Sequence, residues 1–141
     1  THLDDKLPEV MMDGEQIKQA LLNLVINGMQ AMSDGGQLKI ATARRDRTVT
    51  INVTDYGPGI PAEVRDRIFN PFVTTKEGGT GLGLAIAYRL VKQHNGAIRA
   101  SDAPDGGSIF EIELPFDQKE TVKSPEAAPL PTAHPVTRSA I

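Results

Sequence analysis

Cysteine and tryptophan are both absent from the 141 residues, and the aromatic content is four Phe and two Tyr. Without cysteine there can be no disulfide and no thiolate metal site, which is compatible with a reducing compartment. Without tryptophan and with few aromatics, the core must rest on Leu, Ile, Val, Met and Ala. Net charge is also scarce: 15 basic against 18 acidic residues give −3, so no basic footprint for nucleic acid or an anionic membrane surface is expected. Apolar runs stop after a few positions, short of a bilayer span. The opening Thr1-His-Leu-Asp-Asp5 has neither the basic nor the apolar region of a signal peptide. The expected location is cytoplasmic, without direct membrane contact. A start on Thr1 in place of Met reads as a piece excised from a longer protein.

What is present suffices for one domain, since 39% of the residues are hydrophobic. Residues 1–116 carry the periodic segments. Residues 117–141 shift to Pro, Ala, Ser and Thr without periodicity and read as a disordered tail or linker.

The densest local signal is Lys76-Glu-Gly-Gly-Thr-Gly-Leu-Gly-Leu84, with glycine at 78, 79, 81 and 83 just before an apolar-periodic segment. A glycine loop that becomes a helix presents unpaired N–H groups and the positive end of a dipole, which suits a phosphate. A plain glycine-rich helix start is the bland alternative. The order of residues fits neither the dinucleotide fingerprint nor the P-loop, because Gly83 is followed by Leu84 and no strand directly precedes the loop.

Asp13 with Gln16 three positions on is a capping-box pattern, and the apolar segment after it predicts a helix over about 14–33, buried on most sides. Gln16, Gln19, Asn23, Asn27 and Gln30 fall on one face of it. That stripe either faces solvent or lines a pocket; amides in place of Lys and Glu suit the pocket. The runs 37–45 and 47–54 predict a β-hairpin, and the parity of Val49, Ile51 and Val53 turns Asp55 inward, where a carboxylate is costly without a partner. A short helix follows over 61–67. Residues 69–76 have no clear period and, with the glycine loop, read as a mobile flap. A helix over about 81–94 ends at Asn95-Gly96 and places His94 where its protonated form would suit the dipole. The runs 97–101 and 108–114 predict a second hairpin. The stretch 3–12 reads as an extended lead-in with a short edge strand.

In order and spacing, Asn23-Leu-Val-Ile-Asn27, Asp55-Tyr-Gly-Pro-Gly59, Phe69-Asn-Pro-Phe72 and Gly79-Thr-Gly-Leu-Gly83 are similar to the N, G1, F and G2 boxes of one family. Over about 13–115 the chain resembles the ATP-binding catalytic domain of bacterial two-component sensor histidine kinases, within the superfamily that includes gyrase, a heat-shock chaperone and mismatch-repair ATPases. The resemblance implies an α+β fold: a two-layer sandwich with a mixed, mostly antiparallel sheet, about three helices on one face and a flexible ATP lid. It implies ATP and Mg²⁺ as cofactors. Asp55 would accept from the adenine amino group, Asn27 would hold the metal, and Gly57 and Gly59 would admit the base. Gly79, Gly81 and Gly83 would wrap the phosphates, with Lys76 reaching them from the flap. Ile60, Phe72, Thr75, Thr80 and Leu82 would also border the nucleotide. Ser108 stands where the family usually has Thr in the adenine network. Gln30 stands where many relatives carry Lys, Arg or His, so that phosphate contact is weakened or relocated. The flap is also short.

The hydrolysing branches of the superfamily carry a Glu base where this chain has Asn23, and an amide cannot take a proton from water. This implies a catalytic role for Asn23 and Lys76 in phosphoryl transfer to a histidine on a separate dimerisation domain of the same protein, with a response regulator receiver domain downstream. None of His2, His94 and His134 has the setting of an acceptor. The alternatives are an anti-sigma-type serine kinase and a nucleotide-binding module without transfer.

Overall fold

The first helix, α1 (Gly14–Ala31), starts where Asp13 satisfies its orphan amides: Oδ1 accepts from the N–H of Glu15 at 3.1 Å and of Gln16 at 3.2 Å. The Gln16 side chain donates to Asp13 Oδ2 at 2.9 Å. The return half of the capping box, to the Asp13 N–H, comes from elsewhere in the chain: that N–H donates to Nε2 of His94 at 3.1 Å. His94 Nδ1 lies 2.8 Å from the Leu90 carbonyl. An amide can only donate, so Nε2 accepts and the proton sits on Nδ1. The ring thereby joins the end of one helix to the start of another.

In the computed structural model, which describes residues 1–116, four strands form one antiparallel sheet in the order β1-β2-β4-β3. These are β1 (Leu38–Arg45), β2 (Thr48–Asp55), β3 (Ala97–Asp102) and β4 (Ser108–Pro115). His2 adds a parallel bridge to Ala41, through 2.8 Å from its N–H to the Ile40 carbonyl and 3.0 Å from Thr42 N–H to its own. The sheet is thus mixed and mostly antiparallel, as expected, but its edge contact lies at His2, before the segment 3–12. The disordered-tail reading of 117–141 lies outside the described residues.

The helices α1 and α3 (Gly83–Gln93) lie on one face of the sheet and make a two-layer α+β sandwich. Leu24 and Val91 meet Val53, Phe110, Ile112 and Leu114 in the core, each almost fully removed from water. Burial of one such side chain stabilises the fold by about 1.5–3 kcal/mol. The alternation along β4 is as predicted, Phe110, Ile112 and Leu114 inward and Glu111 and Glu113 outward. The expectation that α1 is buried on most sides is corrected: Ile17, Ala20, Leu24 and Gly28 are buried, whereas Leu22, Ile26 and Met29 are 47%, 42% and 61% exposed. With only two layers, the side of α1 away from the sheet has nothing to cover it. Between the layers' ends, α2 (Ala62–Arg65) is one turn long and buries no residue of its own. Arg65 fastens it by a fork to Asp102 at 2.7 and 2.8 Å and a bond to the Ile60 carbonyl at 3.2 Å.

Gly107 closes the β3–β4 turn at φ +92°, and a Cβ there would collide with the Asp55 backbone. Gly107→Ala is expected to lower stability by at least about 2 kcal/mol. A urea melt checks this; an unshifted midpoint contradicts it.

Candidate functional site

Asp55, the last residue of β2, is 2% exposed and pairs in register with Ser108, the first of β4. Its Oδ1 accepts from the Gly57 N–H at 3.0 Å, the only donor to the carboxylate among the described residues. The parity argument for an inward Asp55 holds, and the neighbouring turn supplies part of its solvation.

A cavity of about 460 Å³ opens beside this carboxylate, within the range of small-molecule sites. Its wall takes Asn23, Asn27 and Gln30 from α1, Asp55 and Ser108 from the strand ends, and Gly59 and Ile60 from the loop that follows β2. Thr75, Lys76, Gly79, Thr80 and Gly81 come from the flap, and Gly83 from the start of α3. The polar stripe on α1 is therefore pocket wall over its second half, which decides between the two readings of it. Three of the site residues expected from sequence stand outside the wall. Gly57 lies behind Asp55, close against the Ala31 carbonyl, Leu82 is the N-cap of α3, and Phe72 is 76% exposed. The apolar part of the wall, from Val64, Ile68, Leu84 and Phe110, was missed. Its one legible signal is the inward parity of Phe110.

The flap is anchored at its base and tied at its middle. Phe69 packs against Tyr88 at 5.6 Å and edge-on to Phe110 at 6.4 Å between ring centroids. Phe72 donates its N–H to the Gly81 carbonyl at 2.9 Å. Gly81 sits at φ +66°, where a Cβ would meet the Phe72 backbone. Lys76 reaches across the cavity: Nζ donates to Asn27 Oδ1 at 3.0 Å, the Asn27 carbonyl at 3.0 Å and Gln30 Oε1 at 3.3 Å. Burial pushes the ammonium below the ordinary lysine value, and the Asp55 charge opposes that shift. Asn23 donates from Nδ2 to the Gly83 carbonyl at 3.1 Å and accepts at Oδ1 from Gln19 Nε2 at 3.1 Å. Its amide thus tethers the glycine loop to α1, and Gln19, outside the expected site, orients it.

Residues 12–118 match the family described as histidine kinase-, DNA gyrase B-, and HSP90-like ATPase. The chain belongs to this family. Among relatives of this ATPase domain, a sensor histidine kinase, ZraS of Escherichia coli K12, is 42% identical over 81% of the chain and 24% of its own length. A sensory histidine kinase/phosphatase, NtrB of Vibrio alginolyticus, is 43% identical over 80% and 35%. The chain therefore spans about a quarter to a third of these proteins. The solved catalytic domain of the histidine kinase ThkA superposes with a TM-score of 0.73 at 37% identity, covering 82% of the chain and 76% of that domain.

Within the ATPase domain the Asn23 tether has a measurable consequence. Asn23→Ala frees the Gly83 carbonyl and is expected to weaken ADP binding about five- to tenfold, the loss of one hydrogen bond of about 1–1.4 kcal/mol. Titration calorimetry reads it; equal affinities contradict the positioning role.

Proposed function

We propose that this domain binds Mg-ATP in the cavity and transfers the γ-phosphoryl group to a histidine on a separate dimerisation domain of the same protein, in the cytoplasm. The observation that carries the reading is a buried carboxylate acceptor, Asp55, sharing one cavity with a cation held on the side-chain oxygen of Asn27.

The donor set fits the two ligands. Asp55 presents an acceptor to an adenine amino group, and the apolar wall suits a planar base. The first turn of α3 has no side-chain cap, so its amides are open to phosphate oxygens. Asn27 Oδ1 already accepts from an ammonium, so it is placed as a hard oxygen ligand for a cation. Among the described residues no three His, Cys, Asp or Glu side chains cluster, so phosphate oxygens would complete a Mg²⁺ shell. When bound there, the metal would neutralise charge on the phosphates.

The chain's own residues position and shield. Lys76, which lines the cavity, would leave Asn27 to bind the phosphates. The flap would shield the phosphates from water and the glycine loop would offer them backbone donors, while Asn23, an amide, abstracts no proton. Its catalytic part is to hold the loop. Transfer then needs a nucleophile better than water, which a neutral imidazole supplies. Neither described histidine has the setting of an acceptor: His2 lies in a non-helical start and is followed by Leu3, and the His94 ring takes part in the cap of α1. A response regulator receiver domain would accept the phosphoryl group next.

The test mixes the chain with labelled ATP and a histidine-containing dimerisation domain. Acid-labile, base-stable label on that partner supports the proposal. Acid-stable label indicates a serine kinase, and nucleotide binding without label indicates a regulatory module.

A further inference from the structure

We infer that Lys76 is a strap that closes the cavity before nucleotide arrives, with its ammonium standing in for the divalent ion at Asn27. The inference rests on the nucleotide-site reading for the identity of that ion.

Three oxygens from one turn of α1, Asn27 O, Asn27 Oδ1 and Gln30 Oε1, converge on Nζ at 3.0, 3.0 and 3.3 Å. An ammonium has three donors, and this cradle takes all of them. The contact spans 49 residues of sequence and joins the middle of the flap to the opposite wall. The three oxygens are what hold the ammonium there. A Mg²⁺ ion on Asn27 Oδ1 would stand close to the Lys76 ammonium, two like charges on one amide oxygen. The metal is therefore expected to displace the lysine. Phosphate oxygens, which carry full charge where the amides carry none, offer it a stronger partner. Nucleotide binding thus exchanges one cation for another at Asn27 and opens the strap in the same event, and free metal alone competes poorly. Gln30 acts as an acceptor that parks Lys76.

Hydrogen exchange of the flap amides (72–82) in the full 141-residue chain tests the strap. Without nucleotide, Lys76→Met is expected to speed their exchange about tenfold, with the amides of Leu24 and Leu114 unchanged as a check on the core. Gln30→Leu, which keeps the lysine, is expected to give a smaller increase of about threefold. Exchange of both variants within experimental error of the parent overturns the strap, and should Lys76→Met fail to fold, the Gln30→Leu result decides alone. Binding of Mn²⁺ without nucleotide, followed by water-proton relaxation, tests the stand-in. Lys76→Met is expected to bind Mn²⁺ at least about threefold more tightly, and equal or weaker binding overturns it. Failure of either arm while the parent still binds ADP leaves the nucleotide reading intact; a parent that binds no ADP removes its basis.

Discussion

Asp55→Asn is expected to weaken ATP binding roughly 30- to 150-fold while leaving the melting temperature nearly unchanged. In the parent the carboxylate is buried and has one protein donor, the Gly57 N–H, leaving acceptor capacity toward the cavity. The amide of Asn keeps one oxygen, which the Gly57 N–H retains, so the turn after β2 survives. The second oxygen becomes an NH₂ group, which would face the adenine amino group donor to donor. Loss of a hydrogen bond to a charged acceptor, with its donor left unpaired, costs about 2–3 kcal/mol, and each 1.4 kcal/mol is about tenfold in affinity. Selectivity for ATP over GTP should fall with it, because a carboxylate accepts from an amino group and repels a carbonyl. Calorimetry of the two nucleotides reads both effects. Unaltered ATP affinity would place the base elsewhere.

Asn27→Ala is expected to lower Mg²⁺-dependent phosphoryl transfer by on the order of 10² or more, the scale of losing several kcal/mol of charge stabilisation. Alanine is the strongest helix former, and the Asn27 side chain bonds to nothing but Lys76 among the described residues, so α1 should persist. The variant separates metal from fold in a way that a change at Gly107 or Gly81 does not. Mg-independent binding of ADP should survive, since the adenine end of the cavity is untouched. Transfer at the parent rate would contradict the metal assignment.

How much of this is legible in the sequence depends on the range of the interaction. Local rules carried far: the Asp13 cap and the parity of β2 and β4 place α1, the hairpins and the inward Asp55 within a residue or two. Of the cavity wall, the residues within the N, G1 and G2 boxes are those expected from sequence, Ile26 and Pro58 excepted, because each box is contiguous. The exceptions depend on layers and on distant contacts. Leu22, Ile26 and Met29 look like core in a periodicity plot, yet a two-layer sandwich has no third layer to cover them. His94 reads only as a helix-end residue, because its partner, the Asp13 N–H, lies 81 residues away. The Lys76 cradle joins residues 49 apart, and Gln19 matters only because Asn23 has a second partner 60 residues on. Val64 and Ile68 were missed because a one-turn helix is too short to show a period.

The central claim is that the cavity between α1, the end of β2 and the flap is an ATP site. Titration calorimetry of the 141-residue chain with ATP and ADP in the presence of Mg²⁺ measures it most directly. One-to-one binding of both nucleotides, much weaker for GTP and lost in Asp55→Asn, is the result predicted. No heat of binding at millimolar ATP, or equal affinity for GTP, would contradict it.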